Sequence, residues 1–192
     1  PESRFPMPGN KSLKSNFIMN AILTASSFIF PLITFPYISR VLGAAGNGKI
    51  AFASTVVGYF SMFAQLGIPT YGIRACAEVR DNPDKLNKLV KELIVINGVT
   101  IAIAYLCFFL LMQTVPQFQK ISTLLYISSS MILLNGLGLS WLFQALEQYR
   151  FITIRNLIFK IFSIVMMFIF VHKPEDYLIY GAINVVGSSA SN

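Results

Sequence analysis

The chain has 192 residues, of which 55% are hydrophobic and only 12% charged, with a mean hydropathy of +0.64. Soluble domains carry about 25% charged residues, so the composition excludes an ordinary soluble protein and points to a lipid bilayer as solvent. A net charge of +7 on so apolar a chain suits an anionic membrane surface better than a nucleic acid.

In chain order, residues 1–10 (PESRFPMPGN) are proline-rich and unlike anything that follows. They read as an expression scar or a disordered tail, outside the fold. Lys11 and Lys14 precede the first apolar run, 17–38. A cleaved leader has a shorter apolar core, about 7–15 residues, so this run predicts a retained first helix. Pro31 and Pro36 fall in its second half. A proline removes a backbone donor, which a membrane helix tolerates only where neighbours satisfy the freed groups; the first helix is therefore expected to bend and to pack against others. Since a crossing needs roughly 20 apolar residues, further helices are predicted over 48–68, 93–114, 121–146 and 152–171. A sixth, 177–192, turns small and polar at its end, which predicts an incomplete crossing and a longer natural protein. The fold class is all-α: a polytopic membrane protein of about six helices.

Lys and Arg in short loops set orientation. Lys11, Lys14, Arg74, Arg80, Lys85, Lys88, Lys91, Arg150, Arg155 and Lys160 fall on the side of the N-terminus, against Arg40, Lys49, Lys120 and Lys173 on the other. This bias puts the N-terminus in the cytoplasm, in a multi-pass protein of the cytoplasmic membrane. Between the second and third runs, Leu86, Leu89, Val90 and Leu93 recur at helical spacing with lysines on the other faces. Asn82-Pro83-Asp84 is a helix start, with Asn82 as cap. An amphipathic helix over about 83–92 on the inner membrane surface is expected.

Charge at membrane depth is costly and marks function. All eight acidic residues lie outside the predicted spans, so neither paired carboxylates nor a metal-ligand cluster is available for enzymatic chemistry. Cys76, assigned to a basic loop, and Cys107, in an apolar run, do not suggest a disulfide, and His172 reads as a solvated loop residue. What remains is cationic and neutral polar: Arg40, Arg74, Lys160, Arg155, and the amides Asn20, Gln65, Asn97, Asn135 and Gln144. Arginine grips phosphate through a planar fork of donors, and amides pair with sugar hydroxyls, so the set suits an anionic, hydroxyl-rich ligand. Each member also has an ordinary structural role open to it. Asn20, Asn97 and Asn135 can bridge helices, Lys160 can snorkel to the inner interface, Arg40 can anchor a helix end, and Trp141 and Tyr149 can belong to an aromatic belt.

The motifs say more than any single residue. Phe35-Pro36-Tyr37-Ile38-Ser39-Arg40-Val41-Leu42-Gly43, then Gly46-Asn47-Gly48, then Gln65-Leu66-Gly67-Ile68-Pro69-Thr70-Tyr71-Gly72-Ile73-Arg74 resemble the N-terminal region of the Wzx-type oligosaccharide flippases. These are polysaccharide-biosynthesis members of the multidrug/oligosaccharidyl-lipid/polysaccharide exporter superfamily. Trp141-Leu142-Phe143-Gln144-Ala145-Leu146-Glu147 is similar to that family's Trp-Leu-Phe-Gln-Gly-Leu-Glu segment, with Ala145 in the glycine's place. After Arg74, Ala75-Cys76-Ala77 replaces a more charged stretch. The resemblance runs from Lys11 to the end of the chain. It implies one lobe of a two-lobed transporter of about 12–14 helices, not an enzyme. The implied cargo is an undecaprenyl-pyrophosphate-linked oligosaccharide for capsule, O-antigen or exopolysaccharide, moved by alternating access. The implied partners are that substrate, membrane lipids and other polysaccharide-assembly proteins, with no nucleic acid. No cofactor is implied, and proton or sodium coupling stays open. For substrate binding or gating it points first to Arg74 and Arg40, then to Lys160 and Arg155, with Gln65, Asn97 and Gln144 in support. Three alternatives stay open: a lipid II flippase, a multidrug exporter and a membrane-embedded glycan polymerase.

Overall fold

The computed structural model describes residues 10–189. Most of the tail read over 1–10, and residues 190–192 of the sixth predicted helix, lie outside the described residues. The rest is helical, in the order α1 (Asn10–Gln65), α2 (Ile68–Val79), α3 (Pro83–Thr114), α4 (Pro116–Gln119), α5 (Ser122–Leu137), α6 (Ser140–Ala145), α7 (Tyr149–Phe170) and α8 (Tyr177–Ser189). Among the described residues, four helical stretches are long and apolar enough to cross a membrane: Phe17–Val79, Pro83–Thr114, Ser122–Ala145 and Tyr149–Phe170. The fold is that of a helical membrane protein.

The first stretch is 63 residues long, far more than one crossing needs, and α1 folds back on itself at Gly43. There the backbone adopts φ 65°, ψ −176°, a region open essentially to glycine alone. Asn47 Nδ2 donates to Ser39 Oγ at 3.0 Å across the break. Contacts fix the direction of the two arms. Residue numbers rise together along the first arm (10–42) and α7: Thr153 Oγ1 donates to the Met19 carbonyl at 3.1 Å, and Tyr37 OH to the Val171 carbonyl at 2.8 Å. The second arm (44–65) starts beside Tyr177, where the Lys49 ammonium lies 4.6 Å from the ring centroid. It then runs antiparallel to α3, through ring contacts Phe52–Phe118 at 5.9 Å and Phe60–Phe108 at 5.4 Å and a hydrogen bond from Thr100 to the Ala64 carbonyl. Pro31 and Pro36 lie within the first arm, and Gly43, just past its end, is the one non-helical residue of α1.

One apolar core joins both arms of α1 to α3, α5, α7 and α8 around Ile38, Val57, Phe108, Leu124, Ile132 and Met167. Apolar side chains facing outward, such as Phe28, Leu32, Phe63, Val95 and Leu106, form the surface expected against lipid. A second, separate cluster gathers Ile68, Cys76, Leu93, Trp141 and Ala145 from α2, α3 and α6. It lies at the Ala64 end of the bundle, away from Gly43.

This cluster explains where local structure departs from the sequence reading. The segment after Gln65, expected to continue the helix to residue 68 and then to run as a basic loop, turns sharply at Leu66 (φ 44°) and Gly67 (φ 73°) and then forms α2, with Pro69 in its first turn. Ile68, Gly72 and Cys76 recur every fourth residue and are buried; Cys76 is a core residue, not a loop one. The run predicted as 121–146 divides at Gly138, whose extended backbone (φ −61°, ψ 130°) ends α5. The amphipathic stretch 83–92 and the run 93–114 form one unbroken helix, α3. The Asn82 side chain accepts from the Lys85 N–H at 3.1 Å and caps it. Asn82→Ala is expected to lower the stability of this end by about 1 kcal/mol, seen as faster amide exchange over residues 83–88 than over 100–110. Between α7 and α8, the backbone N–H groups of His172 and Lys173 both donate to Asp176 Oδ2 at 2.9 Å. They hold its carboxyl below the usual carboxylate range.

Candidate functional site

Along α7, Thr153, Asn156, Lys160, Ser163 and Met167 recur at helical spacing on the face turned to the first arm of α1 and to α8. Between these three helices lies a pocket of about 300 Å³. Its polar lining comprises Lys160, Ser27, Thr34, Ser163, Asn184 and Ser188, and Phe30 and Tyr180 contribute aromatic faces.

Lys160 is the twelfth residue of the 22 in α7. At 1.5 Å per residue it stands roughly 16 Å along a helix of roughly 33 Å, at the middle of a helix long and apolar enough to cross a membrane. Its Nζ donates to Ser26 Oγ at 3.0 Å and to Ser27 Oγ at 3.1 Å, and lies 5.5 Å from the Phe30 ring centroid. Both serine hydroxyls donate their own protons to the Leu23 carbonyl, at 2.7 and 3.1 Å. Their lone pairs are thereby turned toward the ammonium, whose position is fixed by neutral oxygen. An ammonium has three donors, of which Ser26 and Ser27 take two.

The other expected site residues do not converge on this pocket. Arg40 is exposed three residues before the Gly43 break, and Arg74 is exposed on α2 at the opposite end of the bundle. No single phosphate can bridge them. Arg155 turns away from Lys160: its Nη2 donates to Ser140 Oγ at 2.6 Å and its guanidinium stacks 5.6 Å from the Phe151 ring, tying α7 to α6. Asn97 is buried and donates to the Gly136 carbonyl between α3 and α5, the helix-bridging role open to it from the start. Gln65 ends α1 and Gln144 lies on α6, both half-buried.

Sequence reasoning missed Ser26, Ser27, Thr34, Tyr180 and Asn184. Two signals were available. Tyr180, Asn184 and Ser188 repeat every fourth residue, and the polar stripe of α7 shares its phase with Lys160. It also missed Arg80 Nη1–Glu147 Oε1 at 2.9 Å, which joins the end of α2 to the turn after α6. Both side chains are over one-third exposed, so this pair contributes little to stability.

Residues 13–192 match the family model described as polysaccharide biosynthesis protein. Two curated relatives are each described as "Putative O-antigen transporter". The Escherichia coli (strain K12) protein is 28% identical over 172 residues, covering 90% of this chain and 41% of the relative. The Shigella dysenteriae protein is 27% identical over 169 residues, covering 85% and 41%. The chain thus spans about two fifths of the length of these relatives. No solved structure matches it significantly.

Proposed function

The chain belongs to the polysaccharide biosynthesis protein family, and on that premise we propose that it is one lobe of a transporter rather than an enzyme. Its cargo is an undecaprenyl-pyrophosphate-linked oligosaccharide, carried from the cytoplasmic to the outer leaflet of the cytoplasmic membrane for capsule, O-antigen or exopolysaccharide. The relatives described as O-antigen transporters support the class of cargo. The observation that carries the reading is the Lys160 pocket, where a cation at the middle of α7 is surrounded by hydroxyls, an amide and aromatic faces. Such a lining suits an anionic, hydroxyl-rich ligand. In this reading the N-terminus is cytoplasmic, two lobes rock in alternating access, and Arg74 and Arg40 act at opposite ends of the cycle.

Deleting the gene is expected to make lipid-linked oligosaccharide accumulate on the cytoplasmic side of the membrane, with loss of surface polysaccharide. Normal surface polysaccharide in the deletion strain would sink the reading. Arg74→Ala and Arg40→Ala should each reduce export without loss of membrane-inserted protein. Export at the unmodified rate by both would remove the arginines from the mechanism.

A further inference from the structure

The three helices around the pocket contain no acidic residue: none occurs in 10–65, 149–170 or 177–189. Lys160, at mid-depth on α7, therefore has no counter-charge on α1, α7 or α8, and its partners are the neutral Ser26, Ser27 and Phe30. A fixed charge at that depth lies inside the transmembrane field, and any step that changes its share of the field is driven by the membrane potential. We infer that Lys160 couples the empty transporter to the membrane potential: an inside-negative potential favours the state in which its pocket opens to the cytoplasm.

The inference rests on the alternating-access reading and on a cytoplasmic N-terminus. The sign follows from the charge, because a cation is drawn toward the negative side, and opening the pocket to that side releases it down the field. When an anionic group of the cargo occupies the pocket, its negative charge offsets that of Lys160 and the loaded step no longer shares this dependence. The inside-negative potential then accelerates the empty return without opposing the outward step with cargo. Arg155 lies five residues nearer the start of α7, roughly 7 Å closer to the cytoplasmic edge, and so experiences less of the field. A unit charge that changes its position by a quarter of the field shifts an equilibrium about threefold per 100 mV.

The test uses the full-length transporter without cargo, reconstituted in liposomes. Thr34→Cys in the pocket lining is the reporter, with native cysteines replaced. A membrane-impermeant maleimide on the cytoplasmic face is the probe, and a potassium gradient with valinomycin sets the potential. Labelling is expected to quicken about two- to threefold on going from zero to 100 mV inside-negative. Lys160→Arg should keep the dependence, and Lys160→Met should abolish it. Labelling that ignores potential in the parent protein overturns the inference, as does equal voltage dependence in Lys160→Met. The measurement needs no knowledge of the cargo, so a deletion strain with normal polysaccharide would remove the proposed cargo and leave this result to stand or fall separately.

Discussion

Lys160→Gln is expected to cut polysaccharide export about ten- to a hundredfold while the protein still inserts. Hydrogen bonds to a charged group are worth about 1.5–3 kcal/mol, and each 1.4 kcal/mol is about tenfold in binding. Glutamine keeps polarity and can still meet Ser26 and Ser27, so the loss isolates the charge from the helix contact. The measurement is surface polysaccharide in a deletion strain carrying the variant, normalised to membrane-inserted protein. Ser26→Ala, which removes one of the two oxygens that fix the ammonium, should have a smaller effect in the same direction. Full export by Lys160→Gln would exclude the pocket from cargo binding.

Trp141→Ala should be the most destabilising single change, by about 3–5 kcal/mol. The ring is 5% exposed at the centre of the cluster that fastens α2 to α6 and α3. Gly72 shows how closely that ring is packed, since a Cβ built there would lie 2.6 Å from Trp141. Gly72→Val should therefore cost about 1–3 kcal/mol through overpacking. Two residues that compete for one volume do not act additively, so Gly72→Val combined with Trp141→Ala should be more stable than the sum of the single variants. Thermal unfolding of the detergent-solubilised full-length protein tests both statements. Additive losses would show that the two side chains do not share that space.

How much of this was legible beforehand differs from element to element. The crossings were visible because bilayer thickness demands long apolar runs, which composition alone displays. The start of α3 was visible because Asn82 and Pro83 act within one turn of themselves. The fold-back of α1 was marked by glycines around a short turn, although only the backbone at Gly43 shows which of them makes it. The helix after Gln65 was missed for the opposite reason. Ile68, Gly72 and Cys76 form a stripe too short and too weakly apolar to declare a buried face, and they become one only because Trp141, about seventy residues later, supplies the other side.

The candidate site divides in the same way. The sequence by itself determined that no acid falls within a predicted span, that Lys160 does fall within one, and that Arg40 and Arg74 stand at different span ends, because each of these is a property of position along the chain. Which surroundings each cation meets was decided by the tertiary structure. Lys160 and Arg155 are five residues apart, and that spacing sends them to different faces of α7. Only the packing of the first arm of α1 and of α8 against one of those faces gives Lys160 its two serines and its polar pocket, while Arg155 braces α6 and lines a separate pocket with Arg150 and Phe151.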